Sequence, residues 1–232
     1  MTTSFCAGCQ SHKEESELKA CSGCSTVRYC SKECQTEDWK VHKPVCKKLK
    51  SDEVWGIKLL CNRDLAALPH SPNSSEPEIS RRIEHILLNK NHPVFRQGDL
   101  CPTTQAYGFP LLIYSDGIHQ RRQTQGSGNQ PALCLRMDVE NGLAPPHWQI
   151  VDPDTCIIAR RDYKPLTREA MEACYAFQFM LPSDAYGWPE EDGWAPGREH
   201  ITRAAFQLFY KKYYRDQNEV GRAQFKPIRR PL

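Results

Sequence analysis

Eight cysteine and histidine residues within the first 46 positions constrain this chain more than any other feature. They form four close pairs: Cys6 and Cys9, Cys21 and Cys24, Cys30 and Cys34, and His42 and Cys46. A closed zinc site takes four such ligands in a tetrahedron, so eight ligands fill two sites with none left over. We therefore expect the N-terminal segment to fold around two Zn²⁺ ions.

The four pairs have two kinds of spacing. Cys6-Ala-Gly-Cys9 and Cys21-Ser-Gly-Cys24 have the two-residue spacing of a tight turn, with glycine where a positive φ costs least. Cys30 with Cys34, and His42 with Cys46, are four apart, which places both side chains on one face of a short helix. Each ion could take one turn pair and one helical pair in a cross-brace, or each could take two neighbouring pairs. Spacing alone leaves both pairings open.

The intervening residues resemble those of the MYND zinc fingers. The likeness runs through Arg28-Tyr29-Cys30, Cys34-Gln35 and Asp38-Trp39, and it covers residues 6 to 46, about a fifth of the chain. It implies a cross-brace, with Cys6, Cys9, Cys30 and Cys34 on one ion and Cys21, Cys24, His42 and Cys46 on the other. RING fingers fit poorly, because their last two ligand pairs are usually closer together.

Resemblance to the MYND fingers also implies a function. These fingers are protein-recognition modules whose shallow groove accepts short proline-containing peptides of the P-x-L-x-P kind. Ser22, Gln35 and Trp39 match the positions that line this groove. Gln35 and Trp39 are four residues apart, so a helix would present both on one face. The expected partner is thus a protein with a short proline-containing motif.

The alternative of disulfides in a secreted domain is disfavoured. The first residues contain no basic segment followed by an apolar run, so we expect an intracellular protein, nuclear or cytoplasmic. Seven cysteines in the finger would also leave one thiol unpaired. The other five cysteines have no metal-ligand spacing, and we interpret each as a buried apolar residue. These are Cys61, Cys101, Cys134, Cys156 and Cys174.

Charge and hydropathy exclude other classes of function. Residues 1 to 50 hold nine Lys and Arg against six Asp and Glu, which is the whole net charge of +3. Seven thiolates and two Zn²⁺ would bring the loaded finger close to neutral, so we expect no nucleic-acid partner. No apolar run approaches the 18 or so residues that a membrane span needs, and we expect no membrane association.

The rest of the chain predicts an α+β fold, with helices on an antiparallel or mixed sheet of three to four strands. Apolar spacing predicts helices over 47–68, over the segment that begins near Ser75 and ends before His92, and over 167–180 and 198–215. Short apolar runs predict strands over 110–115, 132–137, 147–151 and 155–159, the last two joined as a hairpin. The expected domains are a finger (1–50), a connecting helix and linker (51–76), an α+β domain (77–217) and a basic flexible tail (218–232).

We expect no enzymatic activity. No nucleophile elbow, Walker loop or dinucleotide-binding turn is present, and the cofactor signature of the SET-domain methyltransferases that carry MYND fingers is missing. His119, His147 and His200 have no readable partner. His92-Pro-Val-Phe, Gly108-Phe-Pro-Leu and Pro145-Pro-His-Trp-Gln loosely resemble the C-terminal regions of fungal MYND proteins, which implies no activity. The expected function is therefore that of an adaptor; the alternative is an enzyme whose C-terminal domain acts on a substrate recruited by the finger.

Overall fold

The computed structural model of the chain describes residues 3–9, 11–69, 77–120, 128–138, 142–151, 153–181 and 201–222. The chain divides into two compact units at the junction of Glu53 and Val54. No helix among the described segments is long and apolar enough to cross a membrane.

The described part of the first unit contains two small hairpins and one α-helix. Its elements are β1 (Thr3–Phe5), β2 (His12–Glu14), β3 (Lys19–Ala20), β4 (Arg28–Tyr29) and α1 (Lys32–His42), with 3₁₀ turns at Glu15–Glu17 and Lys43–Val45. β1 pairs with β2 and β3 with β4, both antiparallel. Ser31 caps α1, because its side chain accepts a hydrogen bond from the Cys34 backbone N–H at 3.2 Å.

The second unit contains a sheet and nine described helices. Its strands are β5 (Glu53–Leu59, which begins at the junction), β6 (Ile83–Asn89), β7 (Asp99–Leu100), β8 (Leu111–Tyr114) and β9 (Cys156–Arg160). Its helices are α2 (Asn62–Ala66), α3 (Glu78–Arg81), α4 (Pro93–Arg96), α5 (Pro102–Ala106), α6 (Asp116–His119), α7 (Gln130–Leu135), α8 (Pro146–Val151), α9 (Arg168–Met180) and α10 (Arg203–Glu219).

The five strands form one sheet in the order β6-β5-β9-β8-β7. The pairs β5–β9, β9–β8 and β8–β7 are antiparallel, with Ile158 of β9 between Ile57 and Ile113. Both faces of the sheet are covered. Leu111 and Ile113 belong to one apolar cluster and Leu112 and Tyr114 to another, as alternation along a strand requires. This explains why β8 is apolar at every position.

The larger cluster packs α7, α9 and α10 on one face of the sheet. Its centre is aromatic: the Tyr107 and Phe206 rings stack with centroids 4.2 Å apart, and the Phe177 ring meets both at 5.3 Å. The smaller cluster places Val94 of α4 against the opposite face, with Leu88 of β6. The α+β fold class is confirmed, and the sheet has five strands instead of the expected three to four.

The predicted helix over 47–68 is wrong. β5 occupies Glu53–Leu59, and only Asn62–Ala66 of the remaining residues is helical. A strand covered on both faces loses strict alternation, and the apolar positions of β5 therefore imitate a helical period. Gly56 shows how closely the sheet packs there, since a Cβ at this position would lie 2.4 Å from Leu88 Cδ1.

Three other predicted elements are also wrong. The helix that was expected to run as far as His92 is confined to α3, and the apolar residues that follow form β6; Ser75 lies outside the described residues. The predicted strands over 132–137 and 147–151 fall on α7 and α8, so no hairpin joins them to β9. Asn129 caps α7 with its side chain and Pro131 lies in the first turn, a helix-start signal that outweighs the apolar run.

Four predicted elements are confirmed. The strands over 110–115 and 155–159 are β8 and β9, and the helices over 167–180 and 198–215 are α9 and α10. α10 begins later than expected, after its N-cap Thr202, and continues to Glu219. Just beyond it, Arg222 forms an ion pair at 2.9 Å with the buried Glu172. The tail from residue 223 onward lies outside the described residues.

Candidate metal centre

The eight ligands of the first unit form two compact groups. The four-cysteine site contains Cys6, Cys9, Cys30 and Cys34; the histidine site contains Cys21, Cys24, His42 and Cys46. Within each group all ligand atoms lie within 4.8 Å of one another. Elsewhere in the described part of the chain no further group of three or more such residues is close enough to hold an ion.

The distances between ligand atoms fit tetrahedral zinc. Sγ atoms are 3.6 Å apart for Cys9 and Cys30, 3.6 Å for Cys30 and Cys34, and 3.7 Å for Cys21 and Cys46. A Zn–S bond of about 2.3 Å at the tetrahedral angle separates two sulfurs by about 3.8 Å. His42 Nε2 lies 3.4 Å from Cys24 Sγ, close to the roughly 3.6 Å that a Zn–N bond implies. The expected two Zn²⁺ sites are therefore confirmed.

The ligands are divided between the sites as a cross-brace. Each site takes one turn pair and one later pair, and neighbouring turn pairs do not share a site. One detail of the sequence interpretation is wrong, because neither later pair lies on a single helix. Cys30 precedes the N-cap Ser31, and Cys46 follows the 3₁₀ turn after His42. α1 instead contributes Cys34 to one site and His42 to the other.

The turn glycines are required for space and not for a positive φ. Neither Gly8 nor Gly23 is among the glycines with positive φ. A Cβ on Gly8 would lie 2.6 Å from the Cys34 backbone oxygen, and a Cβ on Gly23 would lie 2.8 Å from Cys46 Sγ. Each turn therefore approaches the later ligand of its own site so closely that only glycine fits.

The four-cysteine site is the more exposed of the two. Cys9 is exposed and Cys6 alone is buried, whereas Cys21, Cys24 and His42 are all buried in the histidine site. Hydrogen bonds with Ser11 lower the pKa of Cys9 to about 6. The pKa of Cys30 is raised to about 12, because it shares hydrogen bonds with the sulfurs of Cys6, Cys34 and Cys9. Neighbouring thiols resist ionising together, and a bound cation offsets their mutual repulsion.

Among the described residues of the finger, N–H groups donate hydrogen bonds to ligand sulfurs of both sites. The backbone N–H of Cys30 donates to Cys6 Sγ at 3.3 Å, and that of Thr26 to Cys24 Sγ at 3.4 Å. The side-chain amide of Gln35 donates to Cys21 Sγ at 3.8 Å. Such contacts orient metal ligands and spread the charge of their thiolates.

The structure places the three groove candidates beside the histidine site. Ser22 is exposed in the turn between Cys21 and Cys24, and Gln35 donates to Cys21 Sγ. Trp39 is 41% exposed, and its ring meets the His42 ring edge-on at 6.0 Å. Gln35 and Trp39 thus each contact a ligand of the histidine site. Because the side-chain N–H group of Gln35 donates to Cys21, its carbonyl oxygen is the atom that can accept a hydrogen bond from a bound peptide.

A buried pair of residues in the finger, Tyr29 and Asp38, has no counterpart among the sequence-based predictions. The Tyr29 hydroxyl donates a hydrogen bond of 2.5 Å to Asp38 Oδ2, and both side chains are almost fully buried. One signal in the sequence could have revealed it. Asp38 is four residues from both Cys34 and His42, so it lies on the inward face of α1.

A cluster of ionisable groups surrounds Asp99 in the second unit. Asp99 Oδ2 accepts a hydrogen bond of 2.6 Å from the buried Trp148 indole, and His147 Nε2 lies 3.4 Å away. His119 Nε2 is 3.9 Å and Arg136 Nη2 is 3.7 Å from the same oxygen. Burial opposes ionisation of Asp99, but the Trp148 hydrogen bond and the neighbouring Arg136 and His119 outweigh it and lower its pKa. His200 lies outside the described residues.

Comparison with known proteins identifies the finger by a family model. The family model described as MYND finger matches residues 6–46. SET domain-containing protein 14 of Caenorhabditis elegans is 48% identical over 48 residues, which is 21% of this chain and 11% of that protein. The hypoxia-inducible factor prolyl hydroxylase of the same organism is 32% identical over 95 residues, 40% of this chain and 13% of that protein. Tudor domain-containing protein 1 of Oryzias latipes is 38% identical over 87 residues, 38% of this chain and 6% of that protein.

These matches cover 13% or less of each relative named here, so they carry no whole-protein activity to this chain. No solved structure matches the chain. The family match and the two ligand clusters agree in position and composition. Residues 6–46 are a MYND-type zinc finger, a protein-interaction module with two metal sites.

Proposed function

We propose that this protein is a non-enzymatic adaptor whose finger binds a short proline-containing segment of a partner protein. The observation that carries the proposal is the position of Trp39. A large aromatic ring is 41% exposed on a small unit, while its edge is held against a metal-ligating histidine. A fixed, exposed indole is a flat apolar platform on which a proline ring can pack.

Polar groups beside Trp39 suit an extended peptide. The side-chain carbonyl of Gln35 can accept a backbone N–H of the ligand, and the exposed Ser22 hydroxyl can donate or accept. Both lie beside the histidine site, as Trp39 does. The combination of an aromatic platform and a few hydrogen-bonding groups is typical of grooves that recognise proline-rich segments.

The finger carries almost no net charge once the metals are bound. Its excess of basic over acidic residues is offset by seven thiolates and two Zn²⁺. A finger of near-zero net charge suits a peptide held by apolar contacts better than it suits a nucleic-acid backbone. We therefore propose a protein partner, and an intracellular site of action follows from the reduced thiols that zinc binding needs.

Isothermal titration of the whole chain with a P-x-L-x-P peptide tests the proposal. A single short motif implies a Kd in the micromolar range, or about −8 kcal/mol. Trp39→Ala should abolish detectable binding while native mass spectrometry still counts two zinc ions. Ile150→Ala, which removes an exposed apolar side chain from the second unit, should bind like the wild type. The proposal fails if Trp39→Ala binds equally well, or if a peptide with both prolines changed to alanine binds equally well.

An enzymatic second unit is the other candidate function. The observation that favours it is the approach of His119 and His147 to Asp99, since a carboxylate beside an exposed histidine is a common acid–base arrangement. Trp148 and Arg136 already bind the same carboxylate oxygen, which favours a structural role. A small-molecule screen by thermal shift would support the enzyme if ligands stabilise the wild type and not His147→Ala.

A further inference from the structure

A buried hydrogen bond connects β4 to α1 in the finger. The Tyr29 hydroxyl and Asp38 Oδ2 are 2.5 Å apart, with Tyr29 only 2% and Asp38 only 5% exposed. Burying a carboxylate costs free energy unless it is hydrogen-bonded, and an apolar residue would fill the same place without that cost. The presence of an aspartate at this position therefore indicates that the geometry of its hydrogen bond with Tyr29 matters.

Asp38 is the middle member of a stripe along α1. Cys34, Asp38 and His42 follow one another at four-residue intervals, so they face the same side of the helix. Cys34 belongs to the four-cysteine site and His42 to the histidine site. Asp38, halfway between them, is tied to Tyr29, the residue just before the ligand Cys30. The hydrogen bond thus holds α1 midway between its two metal attachments.

The rotation of α1 about its axis decides where Trp39 points. Successive residues of a helix are about 100° apart around its axis, so Asp38 directed inward leaves Trp39 at the edge of the exposed face. The Tyr29 and Trp39 rings both meet the His42 ring, at 6.3 Å and 6.0 Å between centroids. A change at Tyr29 or Asp38 would reach the indole through the helix backbone and through this shared neighbour.

We propose that the Tyr29–Asp38 hydrogen bond is a positioning device for peptide recognition: it fixes the rotation of α1 and so presents Trp39 to the ligand. This inference rests on the proposed function, and it makes Tyr29 and Asp38 determinants of affinity that never touch the peptide.

The test is a double-mutant cycle of Tyr29→Phe, which removes the donor, and Asp38→Ala, which removes the acceptor, in the whole chain. Three quantities are measured: the Kd for the P-x-L-x-P peptide, the zinc count by native mass spectrometry, and the indole N–H resonance of Trp39 in the free protein. Loss of one cross-peak in Trp39→Phe assigns that resonance among the five tryptophans. Glu37→Ala, an equal loss of charge at an exposed neighbour, and Tyr163→Phe are the controls.

The proposal predicts that each single variant keeps two zinc ions, raises Kd about tenfold and shifts the Trp39 resonance without peptide present. The double variant should be no weaker than the weaker single one, because both remove the same bond. An unmoved Trp39 resonance overturns the proposal, and so does loss of zinc, which would make the bond purely structural. If the wild type does not bind the peptide, the proposed function fails. The shift of the Trp39 resonance in the free variants then still shows whether the Tyr29–Asp38 hydrogen bond positions Trp39.

Discussion

Cys34 and His42 lie two turns apart on one face of α1 and belong to different metal sites. A single helix therefore joins the two halves of the cross-brace. The integrity of α1 should affect both sites together, whereas a change in either turn should affect only one.

Removing the helix cap of α1 should weaken both metal sites. Ser31→Ala deletes the hydrogen bond to the Cys34 N–H and should destabilise α1 by about 1 kcal/mol. Competition with a chelator should then show a similar loss of affinity, several-fold, for both zinc ions. Thr36→Ala, which removes a hydroxyl contact to the Lys32 carbonyl on the exposed side, is the matched control and should change neither. A loss confined to one site would contradict the role of α1 as a shared support.

Adding a methyl group to either turn glycine should disable one site selectively. Gly8→Ala places a Cβ against the Cys34 backbone, and Gly23→Ala places one against Cys46 Sγ. Because backbone atoms and a bound ligand sulfur cannot move away cheaply, we expect Gly8→Ala to lose zinc from the four-cysteine site and Gly23→Ala from the histidine site. Each variant is the control for the other, since Co²⁺ absorption distinguishes coordination by four thiolates from coordination by three thiolates and an imidazole. Full Co²⁺ binding by both variants would show that the close contacts can relax.

The four-cysteine site should lose its metal first. Its ligand Cys9 is exposed, whereas three of the four ligands in the histidine site are buried. Pulse alkylation during treatment with a chelator should therefore label Cys6, Cys9, Cys30 and Cys34 before the other finger cysteines. Cys101, fully buried in the second unit, should stay unlabelled throughout. Earlier labelling of Cys21, Cys24 and Cys46 would contradict the predicted order in which the two sites lose zinc.

Asp99 should make the second unit sensitive to acid. The pKa of Asp99 is lower in the folded protein than the value of about 4 that an aspartate has in an unfolded chain. The stability that ionised Asp99 contributes is therefore present above about pH 4, and it is lost as the pH falls through the folded-state pKa. Asp99→Asn should lower the free energy of unfolding by about 1–3 kcal/mol at neutral pH, because Arg136 loses its charged partner. Urea unfolding of the whole chain at pH 7 and pH 3 measures both effects. Asp216→Asn, a change on α10 at a side chain that is 44% exposed, should be neutral, and equal stability of the two variants would exclude this role of Asp99.

The sequence predicted the metal ligands well because they are set by local spacing. Two-residue and four-residue intervals limit how cysteine and histidine can converge, and the resemblance to a known finger implied the pairing that the structure has. The spacing did not explain why only glycine fits at Gly8 and Gly23. Their constraint comes from Cys34 and Cys46, which approach from more than 20 positions further along the chain.

The second unit was predicted less well for a physical reason. β5 and β6 lie in a sheet that has apolar clusters on both faces, and their apolar residues fit a helical period as easily as a strand. α7 and α8 are short helices with buried faces, which resemble strands in a sequence. The Asp99 cluster was unpredictable, since Arg136 and Trp148 reach it from 37 and 49 positions away by a topology that the sequence pattern did not reveal.

Chemical-shift mapping locates the surface of the chain to which a proline-containing peptide binds. The whole, zinc-loaded chain is labelled with ¹⁵N and titrated with a P-x-L-x-P peptide. We predict that the largest shifts occur at Ser22, Gln35 and the Trp39 indole, around the histidine site, with little change in residues 54–222. Shifts concentrated in the second unit, or around Cys9 and the four-cysteine site with Trp39 unmoved, would contradict the account.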